Sequence, residues 1–197
     1  ITADDGTVGW GQCVPSPRWS YETIESCVTT IETYLAPELI GRDPFDMDAL
    51  QAAMNRVIAP SFSTGQPIAK AGVDLALCDL TGRLLGQTAA KQWGLLGRDR
   101  IALSWTINVT LLDEVPEQIE LARQRGYSSF NIKVAPDARL DLELCNLVRR
   151  LAPNDFVWAD ANGGYDEATA RDVAPKLADL GFAALEQPLP ANRLTGY

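Results

Sequence analysis

Apolar and polar positions follow two different rhythms along the chain, and the change falls near residue 100. The first part predicts a strand pair, ITADD and TVGWGQC around an Asp5-Gly6 turn, and then mainly helices. These helices are predicted near residues 21–34, 46–58 and 67–85. Because the chain opens on a strand, we expect an upstream strand to be missing.

Two of these helices have an apolar stripe at helical spacing. Ser20 is the predicted N-cap of the first, which should end before Pro37. The stripes consist of Ile24, Val28 and Ile31 in the first helix and of Leu50, Met54 and Val57 in the second. The middle of the third, AGVDLALCDL, is mostly apolar, which predicts that it is covered on several sides.

From Ile101 onwards, short apolar strands alternate with amphipathic helices, a pattern typical of parallel βα units. The predicted strands are IALSWTI, SSFNIKV, FVWAD and FAALEQP, and the predicted helices cover 114–125, 139–151 and 166–180. Leu140, Leu144, Leu147, Val148 and Leu151 should face inward from the second of these helices. Pro175 should kink or shorten the last one.

The composition narrows the possible functions. The 197 residues suit one large domain, or a small domain with part of a large one, and 46% hydrophobic and 22% charged residues are ordinary for a globular protein. The formal net charge of −9 argues against nucleic-acid and anionic-membrane partners, which bind to basic patches. With no run of 18 apolar residues, no membrane span is predicted.

The chain has no histidine, which excludes His-dependent triads and His metal ligands within it. Its four cysteines, Cys13, Cys27, Cys78 and Cys145, form no CxxC pair, so buried, reduced thiols are expected in a cytoplasmic protein. Catalysis by this chain would therefore depend on carboxylates, amines, phenols, hydroxyls or thiols.

Polar residues end three successive predicted strands. Lys133, Asp160 and Glu186 follow one another at intervals of 27 and 26 residues, so one βα unit separates each pair. In a βα barrel the carboxyl ends of the strands open on one face, where the active site lies. Two carboxylates there suit a hard divalent ion such as Mg²⁺, and a nearby amine suits a proton-transfer base.

Each of these residues also has a structural interpretation. Lys133 could extend its amine to solvent, Asp160 could cap the following turn, and Glu186 could pair with an arginine. The regular spacing over three units favours the functional interpretation. Spacing alone still leaves open a barrel with a Schiff-base lysine.

The motifs NIKV, DANGGY and EQPL, in this order and spacing, resemble the mandelate racemase and muconate lactonizing branch of the enolase superfamily. The segments DDGTVGWGQC, APELIGRDP and AGVDLALCDLTGRLLG resemble its capping domain. The resemblance covers essentially the whole chain. It implies an α+β capping domain over residues 1–98, without its first strand. The first half of a TIM-type (β/α) barrel then covers residues 99–197.

The resemblance also assigns roles. Lys133 matches the second lysine of a Lys-x-Lys motif, the acid/base for the substrate α-proton, and Asp160 and Glu186 match the first two Mg²⁺ ligands. Asn162 matches the asparagine of Asp-x-Asn, close to the metal ligands and the substrate carboxylate. Trp19, in a loop at Val14–Trp19 that closes over the substrate, is a candidate substrate contact. Its alternative is packing against the barrel rim.

Asn131 stands where the family usually has the first lysine of Lys-x-Lys, which helps bind the substrate carboxylate. An amide can donate a hydrogen bond but adds no charge. Asn131 is therefore a candidate substrate-binding residue, and its presence changes how the carboxylate is held.

The implied function is Mg²⁺-dependent abstraction of the α-proton of a carboxylate through an enolate. A racemase or epimerase of an amino-acid-like or hydroxy acid is the first interpretation, and a dehydratase or lactonizing cycloisomerase is the second. Homo-oligomers are common in the family, so one is expected. The third metal ligand would fall about 25 residues beyond Glu186, and the second acid/base later still. We thus expect a piece of a larger enzyme, with a non-catalytic fragment as the remaining alternative.

Overall fold

The computed structural model describes residues 1–60, 64–95 and 100–197. The chain divides into two compact units, Ile1–Arg98 and Asp99–Tyr197. No helix in the described part of the chain is long and apolar enough to cross a membrane.

The first unit is mainly helical. Its elements are α1 (Ile24–Thr29), a π-helical turn (Thr30–Leu35), α2 (Ala36–Leu39), α3 (Met47–Val57), α4 (Pro67–Leu85) and α5 (Ala89–Gln92). The core is formed by buried side chains from three of these segments, namely Leu35, Leu50, Met54, Val73 and Leu77. The predicted N-terminal strand pair is reduced to one antiparallel bridge between Thr2 and Val8, next to a turn at Gly6.

The start of the first helix differs from the prediction. Thr23, and not Ser20, is the N-cap, because its hydroxyl accepts from Ser26 N while Ser26 Oγ accepts from Thr23 N. Ser20 Oγ instead donates to the backbone oxygens of Ser16 and Glu22. These bonds stabilise the loop before the helix.

The apolar stripe of this helix was predicted correctly only for Ile31, which is partly buried and packs against the core. Ile24 and Val28 are exposed, whereas Cys27, Thr30 and Leu35 are buried. The wider π-helical turn rotates the inward face, so a regular 3.6-residue period no longer describes the segment.

The helix does not end before Pro37. It continues to Leu39, and the π-helical turn precedes the proline directly. A π-helical turn relaxes the hydrogen-bond pattern at the point where Pro37 lacks an N–H, which explains why the helix is not interrupted there.

The second unit is a sheet with helices on one face. Its elements are β1 (Trp105–Ile107), a 3₁₀ turn (Leu112–Glu114), α6 (Val115–Gln124), β2 (Ser129–Lys133), α7 (Ala138–Leu151), β3 (Phe156–Asp160), α8 (Glu167–Asp179), β4 (Leu185–Glu186) and a 3₁₀ turn (Leu194–Gly196). The strands are parallel in the order β1-β2-β3-β4, as the alternating pattern predicted. Strands β1 and β4 are shorter than predicted.

The sheet has one apolar and one polar face. Phe130, Ile132, Val157 and Ala159 point to the helices and belong to the core of this unit. The intervening positions of β2 and β3, which include Asn131, point to the other face, because side chains alternate along a strand. The candidate residues of β2 and β3 therefore lie on the face that the helices leave uncovered.

Two predictions for the helices were each wrong in part. Leu140 is exposed, and the buried Asp141 lies in the inward-facing set of α7 with Leu144 and Val148. Asp141 is tolerated there because its carboxylate accepts hydrogen bonds from Ala135 N and from the Tyr165 hydroxyl. Helix α8 is not shortened by Pro175, since it runs through the proline to Asp179.

Candidate active site

The three predicted strand-end residues lie side by side. Lys133, Asp160 and Glu186 are the last residues of β2, β3 and β4. In the register of the sheet, Lys133 is opposite Asp160, and Asp160 is opposite Glu186. Their side chains therefore project to the same face at the carboxyl end of the sheet, where ligands bind in parallel βα folds.

Asp160 is the centre of this group. The residue is 3% exposed, and Lys133 Nζ donates to its Oδ2 over 2.5 Å. Asn162 donates twice more, from its backbone N to Oδ1 over 2.9 Å and from Nδ2 to Oδ2 over 3.0 Å. A buried carboxylate is stable only with such partners, and here it has a cation and an amide.

Asn162 also accepts from the Lys133 amine. Its Oδ1 lies 3.0 Å from Lys133 Nζ, so that amine contacts an anionic and a neutral oxygen. Asn162 has a φ of 45°, in the left-handed region, which asparagine tolerates better than most residues. The turn after β3 therefore orients the amide toward Lys133 and Asp160.

The structural interpretations of these three residues can be compared with their contacts. The Lys133 amine is paired with Asp160. Asp160 also caps the turn after β3, because its Oδ1 accepts from Asn162 N, whereas the N-cap of α8 is Asp166. Among the described residues, Glu186 forms no ion pair with an arginine, and its Oε2 accepts from Trp158 Nε1 over 2.8 Å.

Asn131 is on the same face, two residues before Lys133. In the sheet it lies between Thr106 of β1 and Trp158 of β3. Its Oδ1 is buried and has no hydrogen-bond partner among the described residues. An unsatisfied buried polar atom is costly, typically about 1–3 kcal/mol, and such atoms deserve an explanation. A ligand that donates a hydrogen bond at this position would provide one.

Trp19 belongs to the first unit. Its side chain is 70% exposed, and its backbone N donates to Ser16 O in a local turn. Its contact with a substrate stays a prediction, as does packing against the barrel.

Sequence reasoning missed three residues near the group. Trp158 is bonded to Glu186, and the Asp141 carboxylate accepts from the Tyr165 hydroxyl. The signal for Trp158 was available, since it lies two residues before Asp160 and so on the same strand face. The pairing of Asp141 with Tyr165 joins residues 24 positions apart and leaves no pattern in the sequence.

Two neighbouring carboxylates make a donor set for a hard cation. Asp160 and Glu186 present oxygen ligands from adjacent strand ends, which is the chemistry that Mg²⁺ prefers. The residues present therefore fit part of a Mg²⁺ site. Within residues 1–60, 64–95 and 100–197 there is no cluster of three or more His, Cys, Asp or Glu side chains able to hold a metal ion.

Comparison with protein-family models gives a match for each part of the chain. Residues 1–97 match the model described as "Mandelate racemase / muconate lactonizing enzyme, N-terminal domain". Residues 114–197 match the model described as "Enolase C-terminal domain-like".

Curated relatives carry out different reactions. A chloromuconate cycloisomerase of Cupriavidus necator is 33% identical over 93% of this chain and 49% of its own length. A cis-3-hydroxy-L-proline dehydratase of Roseibium aggregatum is 30% identical over 95% of this chain and 50% of its own length. The chain thus spans about half the length of the curated relatives it matches.

A solved structure matches both units. The N-succinyl Arg/Lys racemase of Bacillus cereus superimposes with a TM-score of 0.89 at 26% identity, over 98% of this chain and 52% of its own. The structural and family-model matches confirm the predicted fold class, a capping domain followed by the first half of a TIM-type barrel.

Proposed function

Because the chain belongs to the mandelate racemase/muconate lactonizing enzyme family of the enolase superfamily, we propose that it supplies the proton-transfer half of a Mg²⁺-dependent active site. The reaction is removal or return of the α-proton of a carboxylate substrate through an enolate. The full enzyme then combines these residues with others from the rest of the barrel, including a third metal ligand and a second acid/base.

The observation that carries the proposal is the position of the Lys133 amine. It lies at a strand end, 2.5 Å from Asp160 Oδ2 and 3.0 Å from Asn162 Oδ1. A lysine held by two acceptors has a defined location from which to exchange a proton with a bound α-carbon. Because Asp160 is the ion-pair partner of Lys133 and also a proposed metal ligand, the Lys133 amine lies next to the carboxylates proposed to hold the cation.

The proposed division of roles follows from charge. Removal of an α-proton develops negative charge on the substrate carboxylate oxygens, so groups that stabilise this charge lower the barrier. Bound Mg²⁺, held by Asp160 and Glu186, would act as a Lewis acid toward that carboxylate. Asn162 orients Lys133, and Lys133 transfers the proton.

Substrate binding is proposed for three further groups. Asn131 has a buried amide oxygen without a partner, so its side chain is placed to bond a polar group of the substrate. Asn162 would contact the substrate carboxylate, and Trp19 would contact the substrate from the capping loop. With asparagine at position 131 the substrate carboxylate would have no cationic contact from this position, so its charge would be balanced mainly by the metal.

Racemisation or epimerisation of an amino-acid-like or hydroxy acid is our first candidate reaction. It is supported by the likeness to the N-succinyl Arg/Lys racemase, with its TM-score of 0.89. Cycloisomerisation is the second candidate, supported by the 33% identity to a chloromuconate cycloisomerase, and dehydration is supported by a 30% identical dehydratase. All three share the enolate step.

A homo-oligomer and a cytoplasmic location complete the proposal. The oligomer is expected because homo-oligomers are common in this family. The location is supported by four free cysteines, since a reducing compartment keeps thiols unpaired.

A substrate screen in ²H₂O tests the proposed chemistry. The full-length protein with Mg²⁺ is incubated with N-acylamino acids, hydroxy acids, hydroxyprolines and muconates, and NMR follows the α-proton and the products. Loss of the α-proton signal with inverted product identifies a racemase, a lactone identifies a cycloisomerase, and a keto acid or imine identifies a dehydratase. Binding of these carboxylates without exchange or product would contradict catalysis and favour a non-catalytic binding role.

A further inference from the structure

A buried acid and phenol connect the helix and loop that follow two of the site strands. Asp141 of α7 accepts from the Tyr165 hydroxyl over 2.6 Å, and both side chains are buried. Burial raises the pKa of the Tyr165 phenol, so the hydroxyl keeps its proton and acts as the donor in this bond.

The same carboxylate reaches the loop after β2. Asp141 Oδ2 accepts from the backbone N of Ala135 over 2.9 Å, and Ala135 lies two residues after Lys133. The loops also touch directly, because a Cβ added to Gly164 would lie 2.7 Å from the Cβ of Ala135. The path of the chain beyond Lys133 is thus set by Asp141 and by the turn after β3.

Tyr165 also bonds the segment after β4. Its backbone N donates to Pro188 O over 3.0 Å, and Gly163 N donates to Gln187 O over 2.7 Å. Tyr165 lies three residues after Asn162, and Gln187 directly follows Glu186. Tyr165, through Asp141 and through its own backbone N, therefore joins the turns that follow all three site strands.

We propose that Asp141 and Tyr165 are positioning residues, which hold the turns after β2 and β3 together and so set the separation of Lys133 from Asn162 and Asp160. This inference rests on the proposed function for its effect on turnover. The structural part of the inference, the placement of Asn162 beside Lys133, does not depend on the proposed function.

A packing role alone accounts poorly for this pair. Asp141 shares the inward face of α7 with Leu144 and Val148, where an apolar side chain would avoid the cost of burying a carboxylate. What a carboxylate adds at this position is the pair of bonds to Ala135 and Tyr165. Those bonds connect the two turns, which an apolar side chain could not do with the same geometry.

The first arm of the test needs no substrate. In the full-length protein labelled with ¹⁵N-asparagine, NMR records the side-chain amide of Asn162, assigned by its loss in Asn162→Asp. Tyr165→Phe removes only the hydroxyl and should shift this resonance. Thr81→Val is the matched control, because it removes another buried hydroxyl, from α4 in the first unit.

The second arm measures exchange of the α-proton. Tyr165→Phe should lower kcat about 10- to 100-fold, because small displacements of reacting groups have effects of this size. KM should rise by a smaller factor than kcat falls, because Asn162 is proposed to contact the substrate carboxylate as well as to orient Lys133. Asp141→Asn keeps an acceptor for both donors and should retain most of kcat, whereas Asp141→Ala should not.

The outcomes separate this inference from the proposed function. An Asn162 resonance that does not move in Tyr165→Phe overturns the inference, whatever the activity. A shifted resonance with kcat equal to that of Thr81→Val also overturns it, because the displacement then has no effect on turnover. If the unsubstituted protein exchanges no α-proton, the proposed function fails, and the resonance alone decides whether the pair positions Asn162.

Discussion

At the scale of single residues, the bonding of Asp160 decides what the site can do. Its carboxylate is buried but accepts from Lys133 and from two groups of Asn162. The spacing of strand ends was enough to predict that Lys133, Asp160 and Glu186 are neighbours. It could not predict that Trp158 donates to Glu186, because that depends on the rotamers of two side chains.

Asp141 gives a residue-scale prediction about pH. Burial, the largest cause, raises its pKa above the usual 3.8, while the bonds from Tyr165 and Ala135 oppose the rise and nearby Asp137 adds to it. The folded state therefore holds this proton more tightly than the unfolded chain. Its contribution to stability is full below pH 3.8 and is lost as the pH rises through the folded pKa.

Urea unfolding at a series of pH values checks this sign. The free energy of unfolding of the unsubstituted protein minus that of Asp141→Asn should fall as the pH rises above 3.8 and become constant above the folded pKa. The fall should be about 1.4 kcal/mol for each pH unit between the two pKa values. A difference that increases with pH over this range would show that the fold favours the ionised carboxylate.

At the scale of elements, local patterns predicted which segments are helices better than they predicted which residue caps each helix. Helix α4 begins where it was expected, at Pro67, but its cap comes from a distant part of the chain. The buried Glu22 accepts from the backbone N of Ile68 over 2.7 Å and of Ala69 over 2.9 Å. Capping motifs are recognised within a few residues, so a carboxylate 46 positions away escapes a sequence search.

Glu22→Gln tests this long-range cap. An amide offers one acceptor where the carboxylate uses two, and it lacks the negative charge that a helix N-terminus favours. We expect a loss of about 2 kcal/mol in the free energy of unfolding, measured with urea. Glu25→Gln is the control, because Glu25 is exposed in the first turn of α1, and it should change stability by less than about 0.5 kcal/mol. Equal effects of the two substitutions would contradict the capping role.

At the scale of the whole molecule, alternation of strands and helices was sufficient to predict parallel βα units. Apolar residues of β2 and β3 face the helices, and the alternate positions carry the site, as the period of two requires. The irregular N-terminal part was predicted less well. The expected strand pair has only the bridge between Thr2 and Val8, since few apolar positions there fix a register.

Metal binding should be visible in the stability of the whole protein. If Asp160 and Glu186 hold Mg²⁺ in the folded state only, a free concentration about 100-fold above Kd should add about 2.7 kcal/mol of stability. Thermal unfolding with Mg²⁺ and with a chelator measures this gain, which Asp160→Asn should abolish. Asp166→Asn, at the N-cap of α8, should keep it. A gain that persists in Asp160→Asn would show that the ion binds elsewhere.

The measurement that tests the central claim most directly is the rate of α-proton exchange in ²H₂O by the full-length protein with Lys133→Ala. With the best substrate of the screen and saturating Mg²⁺, this variant should exchange about 10²- to 10⁴-fold more slowly than the unsubstituted protein. Lys176→Ala removes an exposed lysine paired with Asp172 on α8 and should leave the rate unchanged. Exchange in Lys133→Ala at the rate of the Lys176→Ala control would contradict the assignment of Lys133 as the group that moves the proton.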